Sequence, residues 1–265
     1  MRLGDSWPRS TNGQCLTVPY VLVDRRRMRR LRSLAGALRD GGANALELGF
    51  PFSDPIADGP VLEAAAGRAL AAGTTWSDLL AAARVTAPIL PTAVMTYANP
   101  VWRHGLDRAL AQLHGAGVGG LIVPDLSLEE SRPWRQAARA ADVDLVLLAA
   151  PGIDAERARR IARAARGFLY LVSRYGVTGA GGRQRADDLE SLVRVARQAH
   201  PRLPVLVGFG VRDRASARAA LTTGADGVII GTALEERLAA EVSLGAITRW
   251  LRSISSLPAV GARRE

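Results

Sequence analysis

The chain has 265 residues, 48% of them hydrophobic and 23% charged, with a formal net charge of +10. That length suits one barrel of alternating strands and helices, which takes about 250 residues. No run approaches the roughly 18 to 20 apolar residues that cross a bilayer, which excludes a membrane-spanning helix and makes a soluble, cytoplasmic globular protein the expectation.

In chain order, the opening "MRLGDSWPRSTNGQ" is polar and lacks the apolar stretch of a secretory signal, so residues 1–15 are expected to form an irregular arm. The lone Cys15 cannot make an internal disulfide and reads as inert. All 35 basic residues are arginines, scattered through alanine-rich stretches as a bias on solvated helix faces would scatter them. Only the block Arg25–Arg32 in "DRRRMRRLR" is dense, and it too reads as a solvated helix start, so neither a nucleic-acid nor a membrane partner is expected.

Short runs rich in Val, Ile and Leu recur at 16–23, 44–49, 89–95, 120–125, 144–150, 167–173, 204–210 and 226–231. They are nearly continuous rather than alternating, as strands of a parallel sheet covered on both faces should be. Helical spacing fills the gaps at 31–42, 60–72, 75–85, 105–117, 129–141, 154–167, 187–199 and 213–224, and several of these stretches open on Asp or Ser and close on Gly. Strand then helix, eight times over, predicts an α/β protein: a single-domain (β/α)8 TIM barrel over residues 16–256, with a loose tail at 257–265. A doubly wound open sheet is the alternative.

Such barrels carry their chemistry on the loops at the carboxyl ends of the strands. Glycine-bearing loops fall there after the sixth strand ("YGVTGAGG"), at the end of the seventh ("GFG") and after the eighth ("GT"). Glycine admits close backbone approach, and a helix opening at Thr232 adds unbonded amides and a positive dipole end. Gly179, Gly210, Gly231 and Thr232 are therefore candidates for a phosphate cradle, with simple turn glycines as the alternative.

The segment "LELGFPFSDPIADGP", residues 46–60, sets Glu47 inside an apolar strand and Asp58 in a loop stiffened by Pro51, Pro55 and Pro60. A carboxylate on a buried strand is unfavourable unless paired or protonated. Two carboxylates on a strand end and its loop suit paired acid and base duty, above all if burial lifts the pKa of Glu47 toward neutrality. Asp54, in the same loop, reads equally as a turn residue or an interface contact.

Together with "MTYANPV", "GLIVPDL", "YLVSRYGVTGA", "VGFG" and "GVIIGTAL", in that order, this segment resembles the alpha subunit of tryptophan synthase and its stand-alone relatives, the indole-3-glycerol-phosphate lyases, from about Val18 to Leu234. The resemblance implies a (β/α)8 barrel that cleaves indole-3-glycerol phosphate to indole and glyceraldehyde 3-phosphate by a retro-aldol reaction, as a carbon–carbon lyase of tryptophan biosynthesis. It places the catalytic glutamate on Glu47 and the catalytic aspartate on Asp58. It lines the indole slot with Tyr20, Met95, Ile122, Leu148, Tyr170, Val172 and Phe209, and it gives Thr178 the task of holding the aspartate as the sixth loop closes. No cofactor is implied, and His104, His114 and His200 are too scattered to suggest a metal.

Three departures accompany the resemblance. Residues 1–15 show no apolar stripe where the family has an amphipathic helix under the barrel. The loop after the first strand reads "VLVDRRRMRR" where the family has Thr followed by Gly-Asp-Pro. Thr232 stands where Ser is usual. Asp54 matches a residue that meets the beta subunit in the two-subunit enzyme, so that subunit is the expected partner; a stand-alone lyase of specialised metabolism is the alternative, and a non-catalytic barrel that only binds is less favoured.

Overall fold

A computed structural model describes residues 2–7, 13–172, 182–208 and 210–259, with residue 6 and residues 182–187 described by backbone alone. Strands β1 (Leu16–Leu22), β2 (Leu46–Gly49), β3 (Thr92–Met95), β4 (Val118–Ile122), β5 (Asp144–Ala149), β6 (Leu169–Val172), β7 (Val205–Gly208) and β8 (Gly227–Ile230) close in chain order into a parallel barrel. β8 pairs back onto β1 from Leu16–Gly227 to Pro19–Ile230, which an open sheet does not do. The (β/α)8 expectation therefore holds.

Around the barrel run α1 (Leu3–Ser6), α2 (Met28–Asp40), α3 (Pro60–Ala71), α4 (Trp76–Thr86), α5 (Ala98–His104), α6 (Leu106–Gly115), α7 (Ser131–Ala140), α8 (Ala155–Ala164), α9 (Gly182–Ala199), α10 (Arg214–Thr222), α11 (Thr232–Ala239) and α12 (Leu244–Ser255). Their apolar residues recur every three or four positions: α2 buries Leu31, Leu34, Ala35 and Leu38 and turns its arginines outward. Asp and Ser start several of them as anticipated. Thr75 and Asp78 cap α4 reciprocally, and Asp154, Asp213 and Ser243 accept amide hydrogen bonds at the starts of α8, α10 and α12.

The apolar side chains separate into two cores. One lies between strands and helices and includes Leu46 and Leu48 of β2 with Leu31, Leu34 and Leu38 of α2. The other fills the bore and includes Tyr20, Ala45, Met95, Ile122, Tyr170, Val172, Leu206 and Ile229. Successive strand residues face opposite ways, so β2 sends Leu46 and Leu48 out to the helices and Glu47 into the bore with Ala45.

Within residues 1–15, the single turn α1 sets Leu3 and Trp7 under the barrel. Both are buried; the Trp7 indole N–H donates to the Gly167 carbonyl at 2.8 Å and its ring meets Phe168 edge-on at 5.9 Å. The Gly4 amide donates to Asp144 at the start of β5, at 2.6 Å. Two residues one turn apart are too short a pattern to read as a stripe, yet they suffice to close the floor. At the other end of the chain, Leu257 is buried and accepts from the Cys15 amide at 2.9 Å, and Pro258 bridges to Gln14.

Candidate active site

The mouth of the bore is built on β1, β2, β3 and β6. Glu47 is 1% exposed, and its Oε2 has no hydrogen-bond partner among the described residues. Beside it in register stands Tyr20 of β1, and Tyr170 of β6 feels the charge of both Glu47 and Asp58. Two glycines make room for these rings. A side chain at Gly49 would run into the Tyr20 hydroxyl, and one at Gly208 into the Tyr170 hydroxyl. In each case the glycine lies two residues beyond the tyrosine's own partner on the neighbouring strand, so the ring leans diagonally across the pair.

Asp58 reaches the same space from the loop after β2. Its amide closes a turn onto the Pro55 carbonyl at 3.0 Å, and α3 starts two residues later with Pro60 in its first turn. Tyr97, just after β3, clamps this loop: its hydroxyl accepts from the Ala57 amide at 2.9 Å and donates, at a longer 3.4 Å, to Asp58 Oδ2. The Tyr97 ring stacks on Phe52 with centroids 5.2 Å apart. The other carboxylate oxygen, Oδ1, is buried without a partner among the described residues, as is the Thr96 hydroxyl.

Both acids are pushed upward. Burial, followed by the charge of Asp58, raises Glu47 to about 8. Burial raises Asp58 to about 6, partly opposed by the Tyr97 hydrogen bond and assisted by Glu63. Asp58 loses its proton first, so Glu47 meets a charged neighbour while Asp58 meets a neutral one; the two titrate as a pair in that order. Near neutral pH the site holds one protonated and one ionised carboxyl, a donor and an acceptor close enough to be coupled electrostatically.

Of the residues named from the sequence, Tyr20, Met95, Ile122, Tyr170 and Val172 are buried in the bore cluster, and Leu148 packs against it half-buried. Thr178, Gly179 and Phe209 lie outside the described residues. Gly210 has φ +86°, a conformation that favours glycine. Gly231 caps α11, and its carbonyl accepts from the Leu234 and Glu235 amides; Thr232 opens that helix, whose first amides have no partner within it. Asp54 is exposed and accepts from the Ser53 hydroxyl at 2.5 Å. Among the described residues no group of His, Cys, Asp and Glu is arranged to hold a metal ion.

Sequence reasoning missed Tyr97, although it stands in "MTYANPV" directly after a strand, where the carboxyl-end rule looks for functional groups. It also read the Arg25–Arg32 block as solvated, and the structure corrects this in part. Arg26 forks onto buried Asp24, with Nη2 to Oδ2 at 2.6 Å. Burial works against the Asp24 charge, but the Arg26 hydrogen bonds outweigh it and hold the carboxyl below its usual range. Arg27 reaches Glu235 of α11, itself 1% exposed, at 2.7 Å. Both carboxylates are remote in sequence or pattern from an obvious helix-face pair, which is why spacing did not reveal them.

Residues 9–249 match the family model described as tryptophan synthase alpha chain. A tryptophan synthase alpha chain from Picosynechococcus sp. is 44% identical over 232 residues, 86% of each chain. The structure of Mycobacterium tuberculosis tryptophan synthase superposes with a TM-score of 0.83 at 34% identity, covering 99% of this chain and 97% of that one. The crystal structure of the tryptophan synthase complex from Pyrococcus furiosus gives 0.79 at 29% identity over 92% and 99%. On the match to the family model and the extent and identity of these alignments, the chain belongs to the tryptophan synthase alpha chain family.

Proposed function

We propose that Glu47 and Asp58 are the proton-transfer and charge-stabilising groups of a carbon–carbon lyase that cleaves indole-3-glycerol phosphate to indole and glyceraldehyde 3-phosphate. The observation that carries this reading is Glu47, buried beside Tyr20, with the half-buried Asp58 near enough for its charge to raise the Glu47 pKa, each acid keeping an oxygen that has no partner among the described residues.

The substrate's indole ring occupies the slot of Tyr20, Met95, Ile122, Leu148, Tyr170 and Val172. Glu47, held protonated by burial, donates its proton to indole C3. Positive charge then develops at the ring nitrogen, whose N–H donates to the ionised Asp58 carboxylate; an acceptor fixed in an apolar chamber stabilises that charge more than water would. Glu47, now a carboxylate, takes the proton from the hydroxyl on the neighbouring carbon. The carbon–carbon bond breaks, the aldehyde forms and the indole regains its aromatic electrons, leaving Glu47 protonated as it began. The phosphate sits on the amides at Gly210, Gly231 and Thr232.

The partner is a tryptophan synthase beta subunit. Asp54, with Ile56 82% exposed two residues on, supports placing that contact on the loop after β2. Among the described residues no helix is long and apolar enough to cross a membrane, and a cytoplasmic location belongs to the same proposal.

The test is release of indole from indole-3-glycerol phosphate by the full chain with a beta subunit. Glu47→Gln and Asp58→Asn should each lower turnover by about 10²–10⁴-fold with the fold intact. Undiminished turnover in both variants overturns the mechanism.

A further inference from the structure

Three carboxylates lie near Tyr20: Asp58, Glu47 and Glu235. Glu47 and Asp58 each keep an unpartnered oxygen. Glu235 is fully engaged: Oε2 accepts from Arg27 at 2.7 Å, and Oε1 from the Leu22 amide at the end of β1 at 3.1 Å. Glu235 stands in the first turn of α11, three residues after Thr232. An acid in a helix's first turn favours the helix itself. It opposes a second anion at the same end, and a buried carboxylate is screened little by solvent. A phosphate group bound over Gly231 and Thr232 would therefore meet a like charge about one turn below it, unless a cation offsets that charge. Arg27 is the cation that does so.

We propose that Arg27 is a positioning residue that makes the start of α11 able to take a phosphate dianion, by neutralising Glu235 beneath it. The proposal rests on the phosphate cradle put forward above and adds to it a charge-compensating pair supplied by the first loop. That loop has "DRRRMRR" in place of a glycine turn, and the pair ties it to the helix on which the phosphate rests.

A purely structural ion pair predicts the same weakening in both single variants, whereas a compensating one predicts weakening in the arginine variant alone. Arg27→Met leaves the Glu235 charge exposed to the cradle and should weaken binding of glycerol 3-phosphate and inorganic phosphate to the full chain about tenfold. In the lyase assay with the beta subunit, KM for indole-3-glycerol phosphate should rise by a similar factor, more than kcat falls. Glu235→Gln breaks the same ion pair but still accepts from the Leu22 amide and leaves a free cation, so phosphate affinity should hold or rise. Arg27→Met with Glu235→Gln should return affinity to within about threefold of the parent, and Arg27→Lys should keep most of it. Thermal unfolding of each variant separates loss of fold from loss of affinity. Equal weakening in both single variants, or a double variant no better than Arg27→Met, overturns the proposal. Absence of glycerol 3-phosphate binding by the parent chain would instead remove the cradle itself, and this inference with it.

Discussion

Glu47 lies deeper than Asp58, and the order in which the two lose their protons follows from that difference. Burial is the first cause of both upward shifts, and the Tyr97 hydroxyl donates to Asp58 and favours its charged form. The proposed mechanism requires Asp58 ionised and Glu47 protonated, a combination bounded below by about 6 and above by about 8. The profile of kcat/KM against pH should therefore be a bell with limbs near those values, and Asp58→Asn should abolish the acidic limb in whatever activity remains. A flat profile from pH 5 to 9 in the parent, with chemistry rate-limiting, would contradict these assignments. The sequence already marked both acids, because a glutamate inside "LELG" conflicts with its surroundings and conflict of that kind points to a site. Tyr97 carried no such conflict. An aromatic after a strand is ordinary, and its hydrogen bonds to Ala57 and Asp58 join segments some forty residues apart.

Between elements, the tyrosine and glycine pairs on β1–β2 and β6–β7 show how strand register shapes the chamber. Tyr20 pairs with Glu47 and leans over Gly49; Tyr170 pairs with Leu206 and leans over Gly208. Gly49→Ala would drive a methyl into the Tyr20 hydroxyl, and the ring, 4% exposed within the bore, has little room to yield. Overpacking of this kind should destabilise the chain by about 1–3 kcal/mol in denaturant unfolding and raise KM by displacing one wall of the proposed indole slot. Parent-like stability and KM would mean that Tyr20 is free to move. Element types were legible wherever a full period was present: each of the eight strands falls within, or overlaps, its expected run. Boundaries drifted at β3 and β4, where Pro91 and Pro124 sit beside the strands. α5 was hidden by Pro100, which a helix tolerates in its first turn because the missing N–H would be unbonded there. α12, by contrast, shows Ile247, Leu251 and Ile254 at helical spacing, a signal that was present and not used.

At the scale of the whole molecule, the buried acids link stability to pH. Glu47 and Asp58 have folded pKa values above their ordinary ones of 4.5 and 3.8, so between about pH 4 and 8 these two groups bind more protons in the folded chain than in the unfolded. Unfolding free energy should therefore fall as pH rises through that window. Glu47→Gln removes the larger share. In denaturant titrations its advantage over the parent should grow to about 5 kcal/mol by pH 9 and vanish below pH 4; an advantage independent of pH would mean that Glu47 is not held protonated. The sequence by itself determined the eightfold strand and helix alternation, the bore-facing glutamate, the loop aspartate and the family to which these belong, because hydrophobic period and backbone-restricting residues are local properties of a chain. The tertiary structure alone decided closure of β8 onto β1, the one-turn plug of Leu3 and Trp7, the Tyr97 clamp and the Arg27–Glu235 pair. Each of these joins residues far apart in the chain, from about forty to more than two hundred positions, and contacts of that separation are fixed by how the barrel closes rather than by any pattern a short stretch can carry.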